Sequence, residues 1–396
     1  MRPTQRPFLF PPYRGLVFGL GLSLGLLKGS RAEDSLTVKI HSWQEDNQRI
    51  RVDSQYAQLE SDLSTSTHFK LMGLIDSIAG ATPTGELPRT PGAPVPLAIM
   101  HDRRKAWDTE ISHQFARVNV TAGYANSRES DYVSNGWSLN TVTDYNNKNT
   151  SLLLGYGRTD DKLNEEKFGW TNRRPKTGND FLIGVTQLLD PNTSVSANVS
   201  SGQSRGFLSD PYKIVSTTKL DLDPGYYYTV PENRPREKNK VSVFLSANRN
   251  VEKLNGALEA SYRYYHDTFG INSHTLALLW IQKIGERLMV QPSIRLYRQS
   301  AADFYYPSLD AARIVTSYEP VLGETGTGKA PFYSSDNRLA RMETVDAGLK
   351  LIWKIKPWVS VDAAYDRYTS RGLDGVTLPG AFCKANVFTF GVKFTR

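Results

Sequence analysis

From Asp34 to the C-terminus, apolar and polar residues alternate with period two, and the gaps between alternating runs are long on one side only. Period two belongs to a strand with one dry and one wet face, and no helical period is sustained anywhere in this stretch. Leu36, Val38 and Ile40 alternate with Thr37 and Lys39; Val118, Val120, Ala122 and Tyr124 alternate with Asn119, Thr121 and Gly123. Similar runs lie near 50–56, 68–78, 104–113, 132–145, 150–158, 180–189, 193–200, 240–249, 257–266, 273–282, 287–299, 341–354, 358–368 and 381–394. The spacing predicts about 16 strands, within bounds of 14–18.

If the chain starts in the periplasm, short connections fall inside, at Ser64–Thr67, Gln114–Ala116, Asn146–Asn149, Asp190–Asn192, Val251–Asn255, Gly285–Glu286 and Lys356–Pro357. The long ones, near 79–103, 159–179, 201–239 and 300–338, all fall outside. Outer-membrane barrels have this arrangement: an even strand number, short periplasmic turns and long extracellular loops. A soluble sandwich gives long loops no reason to respect parity. The expected fold is therefore all-β, a transmembrane antiparallel β-barrel in the outer membrane of a Gram-negative bacterium.

The strand faces agree. Phe388, Phe390, Val392 and Phe394 share one face of the last strand; Val345, Ala347, Leu349, Leu351 and Trp353 oppose Thr344, Asp346, Gly348 and Lys350. Aromatic residues gather near run ends, at Tyr124, Tyr145, Tyr156, Tyr265, Trp353, Trp358, Tyr365 and Phe394, where rings can sit at the level of lipid headgroups. The last strand also has the form read by the barrel-assembly machinery, although Thr395 and Arg396 follow the terminal aromatic.

Composition excludes several function classes. The single cysteine, Cys383, rules out a disulfide scaffold and multi-cysteine zinc or haem sites. The net charge is +8 over 396 residues, but residues 1–32 hold Arg2, Arg6, Arg14, Lys28 and Arg31 and no acid, so the rest carries only +3. A chain built to neutralise phosphates keeps a concentrated positive excess, so no nucleic acid is expected as a partner.

Those first 32 residues read as a cleaved signal peptide. Three arginines precede the apolar run Gly15–Leu27, and Ser30-Arg31-Ala32 supplies small residues at the cleavage positions. Thirteen residues rise about 20 Å as a helix, short of the ~30 Å hydrocarbon core. The mature barrel then spans 33–396.

A channel would show on the inward face. The alternation places Arg49, Arg51, Lys70, Arg263, Arg295 and Lys350 there, with Asp53, Asp76, Asp108, Glu110, Glu259, Asp346 and Asp362. Bases and acids nearly balance, so no ring of one sign sets selectivity, and a barrel of this size is too wide for wall side chains to fill. Residues 201–239 are the candidate constriction, with Phe207, Asp210, Tyr212 and Tyr226 on it; its aromatics, Phe207, Tyr212, Tyr226, Tyr227 and Tyr228, would be costly to leave in water as a patch. Folding inward would let Arg234 and Arg236 meet the lumen acids, the alternative being an external lid packed over neighbouring loops.

Five stretches, GATPTG at 80–85, SRESDY at 127–132, FLSDPYK at 207–213, YRYYHDTFGINSHT at 262–275 and QSAADFY at 299–305, run in order along nearly the whole mature chain. In them the chain resembles the domain-of-unknown-function 3570 family of uncharacterised bacterial outer-membrane barrels. The resemblance implies no catalytic residue; it implies a periplasmic redox partner, since members are often encoded near flavin-transfer proteins. The Gly-rich stretch near 323–329 and the C-terminal Thr-Arg depart from the family pattern.

Gly323–Lys329 fits GxxxxGK, but Ala330 stands where the Mg²⁺-binding Ser or Thr belongs and Pro331 follows where a helix should open, so no nucleotide is expected. His266, Asp267 and His274 could form an acid/base pair, but polar loop residues in a hydrogen-bond network read as well. Asp210, Asp221 and Asp223 lack EF-hand spacing. The expectation is a non-enzymatic channel or passive transporter for small polar solutes, without cofactor or metal, in contact with outer-membrane lipid. The alternatives are an envelope component docking a periplasmic redox or assembly partner, and a barrel-embedded hydrolase.

Overall fold

The computed structural model describes residues 34–163, 174–217, 228–310 and 331–396. The signal segment and the GxxxxGK stretch lie outside them. Among the described residues sixteen strands close into one antiparallel barrel: β1 (Ser35–Glu45), β2 (Arg51–Ser64), β3 (Thr67–Pro83), β4 (Leu97–Phe115), β5 (Val118–Arg128), β6 (Tyr132–Tyr145), β7 (Thr150–Leu163), β8 (Arg174–Asp190), β9 (Thr193–Gly206), β12 (Glu237–Val251), β13 (Gly256–Asp267), β14 (Asn272–Ile284), β15 (Leu288–Gln299), β16 (Met342–Lys356), β17 (Val359–Gly372) and β18 (Lys384–Thr395). The short strands β10 (Ile214–Thr217) and β11 (Tyr228–Pro231) form a separate hairpin between β9 and β12, which pair directly.

The first and last strands seal the barrel, from Ser35 opposite Thr395 to Glu45 opposite Ala385. With no free edge left, every wall strand has two partners, as a sheet in lipid requires. Short turns join the strands on the side of both termini. Asn147 takes φ 53° in one of them, a left-handed conformation that asparagine tolerates well. Parity and strand number agree with the sequence pattern, but several strands are longer. The run near 68–78 opens the longer strand Thr67–Pro83, and that near 104–113 lies within Leu97–Phe115. The excess is extracellular, where backbone pairing continues above the membrane although His101, Arg103 and Lys105 now face outward in place of apolar groups. The outer connections shrink accordingly, 79–103 to 84–96 and 201–239 to 207–236.

The outer face carries exposed Ile111, Leu154, Ile183, Leu245, Leu278, Leu349 and Phe390, an apolar surface of the kind that lipid covers. Tyr124, Tyr156, Tyr262 and Tyr365 are each the seventh residue of their strands and form part of an aromatic belt on it. Each phenol bonds a polar side chain of the next strand: Asn135 at 3.0 Å, Asn179 at 2.9 Å, His274 at 2.7 Å and Asn386 at 2.9 Å. Tyr265, expected in this belt, turns inward instead. This closed barrel with an apolar outer face is an outer-membrane protein of the Gram-negative type.

The wall has no core of its own. Among the described residues the buried apolar side chains gather at the extracellular end, in two clusters. One holds Phe269, Ile271, Ala302, Phe304 and Leu339; the other holds Val215, Val230, Leu309 and Tyr333, and Tyr306 touches both. The β9–β12 and β15–β16 connections thus fold together as a cap over the mouth.

Candidate functional site

Cross-strand partners share a face, so the register assigns each wall residue to lipid or lumen. Lys70, Asp76, Asp108, Glu110, Glu259, Arg263, Arg295, Asp346, Lys350 and Asp362 all lie on the lumen face, on linked pairs such as Lys70–Glu110, Arg295–Asp346 and Ile352–Asp362. Many lie flat against the wall in ion pairs. Lys70 meets Glu110 at 3.3 Å, and Asp362 bridges Lys39 at 3.6 Å and Lys350 at 3.7 Å. Glycine makes this possible: a Cβ at Gly348 or Gly391 would collide with Asp366 or Asp362, which lie across them. Space therefore remains at mid-barrel, where a cavity of about 570 Å³ is lined by Phe244, Asn248, Glu259, Arg295, Asp346 and Lys350, among others.

Three inward assignments need correction. Arg51 and Asp53 pair with Gln44 and Ser42, on the face of Ile40, and so point outward. Their own ion pair is 2.8 Å long. Above the membrane the alternation inverts its meaning: Val52 is the inward residue, opposite Trp43 beneath the cap, and charges meet water outside. Arg49 is not on the wall at all. It lies in the β1–β2 connection, 3.2 Å from Glu45, and donates to the Gly380 carbonyl at 2.9 Å.

The expected inward folding of residues 201–239 is also corrected. The segment closes the mouth; it does not narrow the waist. Arg234 meets no lumen acid: its Nε lies 2.7 Å from Glu232 and its Nη2 2.8 Å from Asp336, both in the cap. Glu232 also accepts from the Asp210 N–H and the Ser334 hydroxyl. Arg338 joins Asp336 to Asp210. The loop has enough apolar residues to build a core with 300–341, and this core buries the acids that consume its arginine. Tyr226 lies outside the described residues, as do Asp221 and Asp223. Arg236 uses its carbonyl to accept from the Gly206 N–H at 2.9 Å.

Burial sets the electrostatics of this cluster. It pushes the Glu232 carboxyl up to about 7 despite Arg234 and the Asp210 N–H. Burial acts likewise on Asp336, but there Arg338 and Arg234 outweigh it and hold the carboxyl well below the usual range. Burial pushes the Lys213 ammonium down, although Asp336 opposes it.

The cap is tied to strand ends around the rim. Lys213 donates to the Pro83 carbonyl, Tyr212 to Asp131, and Tyr305 and Thr377 share a hydrogen bond of 2.6 Å. Asp267 is buried on the inner face, 3.1 Å from Lys238, and accepts from the Phe269 and Ile271 N–H groups. His266 and His274 lie on the outer face, so register separates them from Asp267 and dissolves the supposed acid/base pair. Between cap and wall lies a cavity of about 570 Å³, bounded by Glu129 and Asp131, by Lys176, Lys238 and Lys240, and by Phe207 and Arg338 on the cap. Glu129 and Asp131 at its β5–β6 end cluster with Asp102 of β4; these acids were not singled out by sequence, and only the tertiary fold joins strand ends 27 residues apart.

The model of the family described as Protein of unknown function (DUF3570) matches residues 23–393. The chain belongs to the DUF3570 family. No curated protein matches it in sequence. Similar solved structures include a polysaccharide outer-membrane secretin, with 10% identity, TM-score 0.47 and coverage of 92% of this chain and 97% of that one. Another is a loop-deleted OmpT of Vibrio cholerae, with 8% identity, TM-score 0.44 and coverage of 92% and 99%. The siderophore receptor PirA of Pseudomonas aeruginosa has 11% identity and TM-score 0.41; it covers 86% of this chain, which spans only 56% of the receptor's length. The five stretches that carry the DUF3570 resemblance converge on the cap and the strand ends that hold it: Pro83, Asp131, Lys213, Asp267 and Phe304 come one from each.

Proposed function

We propose that this DUF3570 protein is a gated, non-enzymatic channel for small polar solutes, with the cap as its gate. The observation that carries the reading is a polar lumen kept open by side chains lying flat over glycine, beneath a mouth closed by a cap with its own core. A barrel with a merely structural role has no need of both. Sixteen-strand barrels hold a water-filled interior, and the nearly balanced ion pairs of this wall suit solutes selected by size and local contacts more than by sign. Assembly would follow the outer-membrane route, with the outward face of β18 presented to lipid and the assembly machinery. Planar-bilayer recordings test the reading. The intact protein should conduct in rare or small steps, and deletion of residues 214–231, which removes both β10 and β11, should give large, steady steps. Intact and deleted barrels that are folded yet equally silent would show that the lumen is no passage.

A further inference from the structure

On the outward face of the extracellular rim, several cations are paired off by carboxylates. Arg51 has Asp53, Arg158 meets Asp160 at 2.9 Å, Arg205 meets Glu237 at 3.3 Å, and Arg371 meets Glu343. One sector departs from this. Arg103 and Lys105 of β4, Arg128 of β5 and Lys162 of β7 are all exposed, and among the described residues none of them forms an ion pair.

The register brings these four together. Lys105 stands opposite Arg128, Arg128 opposite Val133, and Val133 opposite Lys162, so three cations share one row of the outer face. Arg103 lies one pleat above Lys105 on the same face. Lys105 and Arg128 are direct cross-strand partners, with Cβ atoms about 4.5–5.5 Å apart, and like charges so placed destabilise a sheet. Lys162 is two strand intervals from Arg128, roughly 10 Å. An anion seated in this row would turn repulsion into charge-assisted hydrogen bonds.

The aromatic belt begins directly beneath. Trp107 follows Lys105 by two residues on the same face, about 7 Å along the strand. Its ring lies 5.3 Å from that of Tyr124, which lies 5.6 Å from that of Trp137. The row below the rings holds the exposed Ile111 and Leu139 of the lipid-facing wall. From the extracellular side toward the membrane the surface is thus cationic, then aromatic, then aliphatic.

We propose that the outward face of β4–β7 docks a phosphorylated glycolipid of the outer leaflet. Its phosphate sits between Lys105 and Arg128, with Arg103 and Lys162 flanking, and its acyl chains run down the wall below Trp107 and Trp137. Guanidinium presents a planar fork that matches phosphate oxygens, and no carboxylate of the described residues competes for these cations as it does in the paired sectors. A soluble anion would satisfy the charge but leave the rings and the aliphatic row unused. Continuity of the cationic row with the lipid-facing wall favours a lipid. The site lies outside the barrel and stands whether or not the lumen conducts.

Native mass spectrometry of the full-length barrel in non-ionic detergent, titrated with diphosphoryl lipid A and with the same lipid stripped of phosphate, tests the site. The phosphorylated lipid should bind at least about tenfold more tightly, the gain expected from one or more charge-assisted contacts. Lys105→Gln with Arg128→Gln should erase that preference. Arg298→Gln with Arg371→Gln removes the same charge from the outward face of β15 and β17 and should keep it, each double variant being checked for the folded-barrel gel mobility. Sodium phosphate at matching concentration should not displace the lipid. Equal binding of the two lipids, a preference that survives Lys105→Gln with Arg128→Gln, or equal loss in both double variants overturns the proposal. Displacement by free phosphate overturns it in favour of a soluble-anion site.

Discussion

Asp336 is 1% exposed and holds two guanidiniums, those of Arg234 and Arg338, inside the cap. Asp336→Asn would leave both cations without that carboxylate, and removing one partner of a buried pair costs roughly 3–5 kcal/mol. The cap should loosen while the barrel below stays intact. Limited proteolysis should then cut within 207–217, 228–236, 300–310 or 331–341 in the variant but not in the wild type. On the wall, Leu349 faces lipid and its neighbour Ala364, across from Lys350, faces the lumen at the same depth. Leu349→Arg should cost about 2–4 kcal/mol; Ala364→Arg, entering an open cavity, should cost far less in denaturant unfolding from detergent. Thr344 is no substitute for Ala364 in that comparison, because at 3% exposed it is packed tightly near the mouth. Residues such as Leu349 and Lys350 were legible in the sequence because lipid and water impose a period of two. Arg51 and Asp53 were misread because that period keeps its phase, but loses its meaning, once a strand rises above the bilayer.

The cap is the element where sequence gave least and structure adds most. Residues 214–217 and 228–231 pair as a hairpin whose buried Val215 and Val230 meet Leu309 and Tyr333 from a connection far along the chain. No local pattern announces such a contact; what the sequence did offer was an aromatic loop too long and too apolar to be idle. The same element has a pH response with a definite sign. A carboxyl raised from an ordinary ~4.3 to about 7, as Glu232 is, adds stability that is fully present below the ordinary value and lost as pH rises through 7. Asp336, held low, contributes stability that falls away only below the usual carboxylate range. Between pH 8 and pH 5, therefore, Glu232 varies and Asp336 does not, and the cap should tighten on acidification. Hydrogen exchange at the Val215 and Val230 amides, corrected for intrinsic rate, should slow toward pH 5. Glu232→Gln should flatten the trend, and faster exchange at pH 5 in the wild type would contradict it.

At the scale of the whole molecule, the question is how a cap with its own core can open without unfolding. Its two apolar clusters are largely internal to the cap, joined by Phe269 and Ile271 of the β13–β14 connection and by Tyr265 of the wall. Polar ties to the rim include Lys213 to the Pro83 carbonyl, the Ile214 N–H to the Thr84 carbonyl, the Leu87 N–H to the Ser216 hydroxyl, the Phe207 N–H to the Pro175 carbonyl, Tyr212 to Asp131, and Tyr305 with Thr377. Such a body can swing on one side if the ties on the other release, at about 1 kcal/mol for each hydrogen bond broken. The Tyr305–Thr377 contact is the simplest to remove, because Thr377 belongs to the β17–β18 connection and Asp374 holds its backbone N–H at 2.9 Å whatever its side chain does. Tyr305→Phe deletes the hydroxyl and keeps the ring packed against the cap core. A loss of about 1 kcal/mol from the closed state multiplies the open-to-closed ratio roughly five-fold. Single-channel recording separates this from damage to the passage. If the cap is a gate, Tyr305→Phe raises open probability and leaves unitary conductance unchanged, whereas deletion of 214–231 raises the conductance itself. A variant that alters conductance but not open probability would mean that Tyr305 lines the path and latches nothing.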